Sequence, residues 1–533
     1  MDFAITITAI TGLILFLFGI ENFSKEIQNA AGDKFRKLLS KFTSNRVSGT
    51  LLGAGVTAVV QSSSATTVIA VGLVNAGVIS FANSLGIILG SNIGTTITAQ
   101  LIAFKLTAFA PVFIIAGFLI SIFGKRHKII GKGMFYFGIV FFSLGLISSI
   151  MEPLKNDPFV MSWFSQLSNI FIALIVGFVF TIIVQSSSVT TGIVVVLAGS
   201  GIIGLLQGIP ILLGANIGTT VTSLIASARF NLYAKRVAMA HLIFNVVGAL
   251  LLLLILYPFV DLITNIGGTT AQQVANAHTI FNIGAAVVFL IFFKQYKYLV
   301  EKLVKGTEKE ILLRPKYLID KLPENNKKAV EFIEKEIRYS LHVSSQMFKK
   351  AKILLHNPSA KESDRLQRYG NLNDLLDKTI EKALVELSRG KLGNKESESL
   401  ILLVRISNLI EQLGDSADDL GSLSNEVSDL GRKPSLESKK SLDEIVKVLR
   451  GDIKNIEKNF PHKKIVKKLR TKKLRKTLEK LFKEHFLRIK ERGNYPGSIF
   501  VEAVSILEQS FNKIDEIVTL TEKYNNVRKK LNF

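Results

Sequence analysis

The segment Gln61-Ser62-Ser63-Ser64-Ala65-Thr66-Thr67 recurs 124 residues later as Gln185-Ser186-Ser187-Ser188-Val189-Thr190-Thr191. A second pair keeps the same offset: Gly90-Ser91-Asn92-Ile93-Gly94-Thr95-Thr96 and Gly214-Ala215-Asn216-Ile217-Gly218-Thr219-Thr220. Two motifs with one offset mean a duplicated unit rather than chance polar clusters. The blocks that hold them, residues 47–104 and 159–228, contain no Asp, Glu, Lys, Arg or His. Their polarity comes from hydroxyls, amides and glycines within apolar sequence. Duplicated, interrupted hydrophobic segments are the pattern of a secondary transporter.

Working outward, the chain divides by composition. Of 533 residues 48% are hydrophobic, yet 20% are charged and the net charge is +24. Residues 1–300 hold 17 Lys/Arg and 7 Asp/Glu, whereas the remaining 233 hold 49 and 35. Apolar runs long enough for helical spans of about 20 residues crowd the first part only. The expected domains are therefore a membrane part over residues 1–300, with repeats at about 10–124 and 134–260, and a water-soluble part over 305–533. A purely soluble enzyme is excluded. The chain has no cysteine, which removes thiolate metal sites and cysteine nucleophiles. The basic residues of the first part sit in short loops beside apolar runs, so the lipid bilayer is the expected partner and nucleic acid is not. The run Phe3–Ile20 lacks a basic n-region and a cleavage site and reads as a retained span.

Loop charges orient the copies. Copy one is entered through Lys34, Arg36, Lys37, Lys41 and Arg46 and left past Lys105 alone. Copy two is entered through residues 157–169 without a basic residue and left through Arg229, Lys235 and Arg236. Under the positive-inside rule the copies have inverted topology, and the soluble part lies in the cytoplasm. The expected location is the plasma membrane, with multiple crossings. Each copy must then cross an odd number of times in about 58 residues, roughly 87 Å as helix. One crossing plus a re-entrant hairpin over about 51–79 fits better than three thin crossings. The expected fold is thus all-α: a polytopic membrane protein of two inverted repeats, each a re-entrant helical hairpin plus a transmembrane helix broken at 90–96 or 214–220, followed by a cytoplasmic helical bundle. The hairpins enter from opposite sides, so their tips can meet near the midplane, where a binding site belongs.

In hydrocarbon an unsatisfied hydroxyl costs several kcal/mol, so these polar runs must line a cavity or contact protein. Ser hydroxyls and helix N-termini suit an anion's oxygens. Gln and Asn carbonyls and Thr hydroxyls, those of Thr66 and Thr190 among them, suit a hard alkali cation such as sodium. With no Arg or Lys in either block, a bound anion has its charge balanced partly by co-bound cations.

The paired QSSS motifs, each followed by GxNIGTT, resemble the type II sodium-phosphate cotransporter family. Phe16-Leu17-Phe18-Gly19 and Ala240-His241-Leu242-Ile243-Phe244-Asn245 are also similar to family features. The resemblance covers about residues 1–300. It implies symport of inorganic phosphate into the cell by alternating access, with sodium as the coupling ion and both held between the QSSS tips. By matching position it implicates Gln61, Ser62, Ser63, Ser64, Gln185, Ser186, Ser187 and Ser188 in phosphate contacts. Sodium contacts fall to Gln61, Ser64, Gln185 and Ser188, and secondarily to Asn92, Thr95, Thr96, Asn216, Thr219 and Thr220. Electrogenic animal members carry an Asp after the first NIGT segment; here no acidic residue lies between Asp33 and Glu152, which leaves the sodium stoichiometry open. The residues do not separate phosphate from another small oxyanion.

Two further patterns stand outside the duplicated cores. His241 with Asn245 and His278 with Asn282 repeat an AHxIFN pattern, each pair on one helix face. Helix–helix hydrogen bonding is the favoured reading, a proton relay the other. In the soluble part, Leu372, Leu375, Leu376, Ile380 and Leu384 make an apolar helical face, and Pro/Gly breaks divide the sequence into several long helices. Residues 406–418 resemble the ERIGD-type motif of the PhoU domain. That resemblance implies a divalent or iron metal on Glu411 and Asp415, four residues apart, and a cytoplasmic partner or homo-oligomer; a solvated acidic face is the alternative. The basic run Lys463–Arg475 reads as a solvated face or, alternatively, a docking surface for anionic lipid or an acidic partner. An enzyme has little support, because the duplicated cores lack any titratable side chain for acid–base work and no Walker motif or metalloenzyme cluster appears elsewhere. A membrane-tethered anion sensor is the alternative to a transporter.

Overall fold

The computed structural model describes residues 3–43, 45–104, 106–125, 127–155, 157–318, 322–390, 393–429, 436–461 and 497–531. All regular structure among these is helical. The basic run Lys463–Arg475 and the breaks at 431–434 and 494–496 lie outside the described residues. The chain forms two compact units, Met1–Glu310 and Ile311–Phe533.

In the first unit, α1 (Phe3–Phe42) leads into copy one: α2 (Arg46–Val60), α3 (Ser63–Asn75) and α4 (Phe81–Ala103). α5 (Ala110–Phe123), α6 (Lys128–Leu154) and α7 (Pro158–Ser165) follow. Copy two is α8 (Ile170–Val184), α9 (Ser187–Gly199) and α10 (Leu205–Ser227). Each boundary of α8, α9 and α10 is its counterpart's shifted by the same 124 residues. The cause is local: Asn45 caps α2 through the N–H groups of Val47 and Ser48, and Asn169 caps α8 through those of Phe171 and Ile172. The unit closes with α11 (Leu232–Leu254), α12 (Leu256–Ile266), α13 (Thr270–Ile291) and α14 (Phe293–Leu303).

Among the described residues seven helices are long and apolar enough to cross a membrane, or eight if the 158–168 and 170–184 pair, bent by 103°, is one span. α4 and α10 qualify with 23 residues each. α2 and α8 have 15 residues and α3 and α9 have 13. At 1.5 Å per residue these reach only about 20–22 Å, short of a hydrocarbon core of about 30 Å.

One expectation is corrected. The Gly90–Thr96 and Gly214–Thr220 segments do not break their helices: α4 and α10 run through them without interruption, α10 even through Pro210. The glycines serve close approach instead. A Cβ on Gly90 would stand 2.0 Å from the Thr50 carbonyl oxygen, and one on Gly214 1.9 Å from that of Leu174. α4 therefore lies backbone to backbone on α2, and α10 on α8, the contact that small residues permit in membranes. The breaks fall at Gln61 and Gln185.

In the second unit, α15 (Asn326–His356) packs on α16 (Ala360–Ser388), α17 (Asn394–Asp429) and α18 (Leu436–Asn459). α19 (Gly497–Lys529) packs on α17 and α18. Leu372, Leu376, Ile380 and Leu384 lie in its core, as the spacing expects; Leu375 stays outside the fully buried set. The buried Glu334 is paid for by Tyr524 Oη and Arg528 Nε, both at 2.6 Å.

Candidate functional site

Gln61 and Gln185 each terminate the first hairpin helix in the left-handed region, at φ 56° and 58°. A non-glycine residue there costs about 1–2 kcal/mol, so the surroundings must hold it. They do so identically in the two copies. Thr98 Oγ1 donates to Gln61 Oε1 at 2.6 Å, and Thr222 Oγ1 to Gln185 Oε1 at 2.9 Å. The amide nitrogens turn back onto Ala58 O and Ile182 O. Across each hairpin the hydroxyls of Thr57 and Thr66 meet at 2.9 Å, and those of Thr181 and Thr190 at 2.6 Å.

The next residues open α3 and α9. Ser62 caps α3 by accepting from Ala65 N at 3.2 Å, whereas Ser186 makes no such bond. The hydroxyls of Ser63, Ser64, Ser187 and Ser188 have no hydrogen-bond partner among the described residues, yet none is sealed from solvent-accessible space. Uncommitted O–H donors beside the free N–H groups of a helix N-terminus form an anion-seeking surface. Most threonines of the second motif behave differently. Thr96, Thr219 and Thr220 donate to carbonyls of their own helices at 2.7–3.0 Å and so present only lone pairs outward. Thr95 donates to no described residue.

α3 packs on α4 and on α10, and α9 on α10 and on α4, so the second helix of each hairpin touches the long helix of both copies. The four helices that carry most of the residues assigned from sequence thus pack into one centre. The copies differ at their tips. Gln61 is 7% exposed, while Gln185 is exposed. α1 contributes to the first cover, with Ser24 Oγ donating to Val60 O at 3.0 Å.

Sequence reasoning gave His278 little weight, but it belongs to this centre. Its Nε2 lies 3.2 Å from Asn216 Oδ1, and Asn216 Nδ2 donates to Asn282 Oδ1 at 3.3 Å. The repeated AHxIFN pattern was the available signal; nothing in it identified which residue the ring would meet. His241 lies 3.3 Å from Ser223 Oγ, also on α10.

In the second unit Asp374 joins Glu411 and Asp415, each offering an oxygen within 4.8 Å of the others. Burial and the neighbouring carboxylates Asp415, Asp377 and Asp374 push the Glu411 carboxyl above the usual range. Burial and Asp374 do the same to Asp415, and Lys513 works against both. Three hard oxygen donors in need of positive charge fit a divalent cation.

Residues 15–149 and 160–258 match the Na+/Pi-cotransporter family model. The uncharacterized protein YqeW of Bacillus subtilis (strain 168) is 38% identical over 248 residues, 46% of this chain and 80% of the relative. YjbB of Escherichia coli (strain K12), named for inorganic phosphate export, is 24% identical over 454 residues, 84% of this chain and 83% of its own. The sodium-dependent phosphate transport protein 2C of Mus musculus is 40% identical over 136 residues, 24% of this chain and 22% of its own. No solved structure matches. With both duplicated motifs inside the matched residues, the chain is a multi-pass membrane protein that belongs to the Na+/Pi-cotransporter family.

Proposed function

We propose that the chain carries inorganic phosphate across the membrane in symport with sodium, by alternating access around the two QSSS tips. The observation that carries this reading is the pair of matching hairpin tips, where the hydroxyls of Ser63, Ser64, Ser187 and Ser188 are uncommitted and the glutamines differ in exposure. Ser63, Ser64, Ser187 and Ser188 would donate to phosphate oxygens, with Ser62 and Ser186 beside them. The lone pairs of Thr96, Thr219 and Thr220, with the carbonyls of Gln61, Gln185, Asn92 and Asn216, would face sodium. Thr66 and Thr190 brace their own hairpins and contribute least. No side chain of either block carries charge, so sodium supplies what the phosphate dianion needs.

The loop charges imply an inverted topology of the copies, under which two equivalent hairpins would exchange environments. Because the native chain has no cysteine, single replacements can report this directly. Gln185→Cys should react with a membrane-impermeant maleimide at least about tenfold faster than Gln61→Cys, in line with free access at one tip only. Equal rates would contradict a one-sided state.

Direction is decided by flux. Symport down an inward sodium gradient imports phosphate; the relative that spans both units is named for export. Proteoliposomes loaded with or facing radiolabelled phosphate, with sodium gradients of either sign, test both. Uptake that follows the inward sodium gradient supports symport. Efflux independent of sodium favours export, and sodium-dependent binding without flux a sensor.

In the second unit we propose that Asp374, Glu411 and Asp415 bind a divalent cation. Carboxyls raised above their unfolded range hold protons in the folded state that the unfolded chain has released, so stability falls as pH rises through that window. The second unit should therefore melt higher at mildly acidic than at neutral pH. At neutral pH, millimolar Mg2+ or Mn2+ should restore roughly 3–5 °C. Glu411→Gln should remove both responses; a variant that keeps the metal response would refute the assignment.

A further inference from the structure

His278 and Asn282 lie on α13, which belongs to neither copy, yet they hold a residue of the second NIGTT motif. The hydrogen bonds fix every amide and proton in the group. Asn282 Nδ2 donates to the His278 carbonyl at 2.8 Å, which leaves Asn282 Oδ1 as the acceptor for Asn216 Nδ2. That orientation turns Asn216 Oδ1 toward the imidazole, and a carbonyl oxygen can only accept, so His278 carries its proton on Nε2. The three side chains are at most 3% exposed, and His278 Nδ1 is buried without a partner. The ring's one committed atom is thus Nε2, the donor aimed at Asn216.

The first copy holds the equivalent residue in another way. Asn92 Nδ2 donates to Ile88 O of its own helix at 2.9 Å, and its carbonyl oxygen has no partner among the described residues. An amide tied to its own helix moves with that helix. An amide tied to α13 keeps its direction only while α10 and α13 keep their register. Asn216 Oδ1 has a second lone pair, and the direction of that lone pair is set by the His278 bond. Groups that orient a ligand from behind typically alter metal affinity about 10–100-fold when lost.

We propose that His278 is a positioning residue for the cation site of copy two: its Nε2–H holds the Asn216 carbonyl so that the remaining lone pair is presented to a sodium ion. The inference rests on the sodium-coupled reading above and adds to it a residue outside the duplicated blocks. It makes the copies unequal as cation sites, since only the second is braced from a separate helix.

The test compares His278→Gln, His278→Asn and His278→Ala in the full-length protein in proteoliposomes, with sodium half-saturation of phosphate flux as the readout and thermal melting in detergent beside it. A glutamine amide can place its N–H near the position of Nε2, whereas an asparagine amide stops near Nδ1. The Gln variant should keep sodium half-saturation within about threefold of the native value. The Asn and Ala variants should raise it at least about tenfold, with maximal flux at saturating sodium reduced far less. His278→Asn carries the test if His278→Ala does not reach the membrane. Native half-saturation in the Asn or Ala variant, or an equal rise in Asn and Gln, overturns the inference. A native protein whose flux ignores sodium fails the parent reading instead, and the two failures are told apart by the native control alone.

Discussion

Gln61→Ala and Gln185→Ala should each abolish the proposed phosphate flux, by about a hundredfold or more, in protein that still reaches the membrane. The amide of each glutamine accepts from a threonine of the adjacent long helix, Thr98 or Thr222, and so fixes the point where the hairpin turns. Its removal leaves a hydroxyl without its acceptor and lets the serine-bearing tip drift, at a cost of about 1–3 kcal/mol for the unpaired group alone. Displacement of the donors then adds to the loss, because a misplacement of about 1 Å can cost a hundredfold in a positioned site. Glycine variants separate backbone from side chain. Both residues sit at positive φ, so Gln61→Gly and Gln185→Gly relieve about 1–2 kcal/mol of backbone strain. They should fold at least as well as the alanine variants and still not transport. Gln61 is buried and Gln185 exposed, so Gln61→Ala should melt lower than Gln185→Ala while both lose flux. Retention of flux by Gln185→Ala would show that the second tip takes no part in the site.

Gly90→Ala and Gly214→Ala should prevent the first unit from folding normally. In each case a single methyl would stand about half a van der Waals contact from a backbone carbonyl, that of Thr50 or Leu174. A side chain could rotate away; a backbone oxygen within a packed helix cannot. The hairpin must separate from the long helix, and overpacking of this kind costs about 3 kcal/mol or more. The intrinsic gain of alanine over glycine in a helix, about 1 kcal/mol, does not offset that. Gly55 and Gly72 are the controls, because nothing lies within 4 Å of a Cβ added to either. Their alanine variants should keep or slightly raise the melting temperature. Thermal unfolding and the monodisperse fraction in detergent measure both sets, and normal melting of Gly90→Ala would show that α2 and α4 are not in backbone contact.

The same glycines show where reading the sequence stops. Gly90 and Gly94 beside Asn92 suggest a broken helix, since glycine and asparagine are poor helix formers. In a helix that contacts others over most of its length, that local preference is outweighed by what glycine permits, which is the approach of a second backbone. The spacing Gly86, Gly90, Gly94 at every fourth residue was the sign that a packing face, not a break, was encoded. Thr66 and Thr190 were readable as cation ligands by type, but their position opposite Thr57 and Thr181 depends on how the hairpin closes. His278 illustrates the limit most clearly: its pattern is local, while its partner lies 62 residues away.

By itself the sequence determined the duplication, the membrane character of the first part, the helical character of the second, and the residue types available for an oxyanion and its cations. These follow from composition, period and offset, which are properties of the chain read along its length. Only the tertiary structure decided which hydroxyls remain free to donate, which tip is covered, and which helix holds Asn216. Each of those depends on a partner brought near by packing, and a hydrogen bond between distant residues exists only once the backbone has placed both ends within about 3 Å.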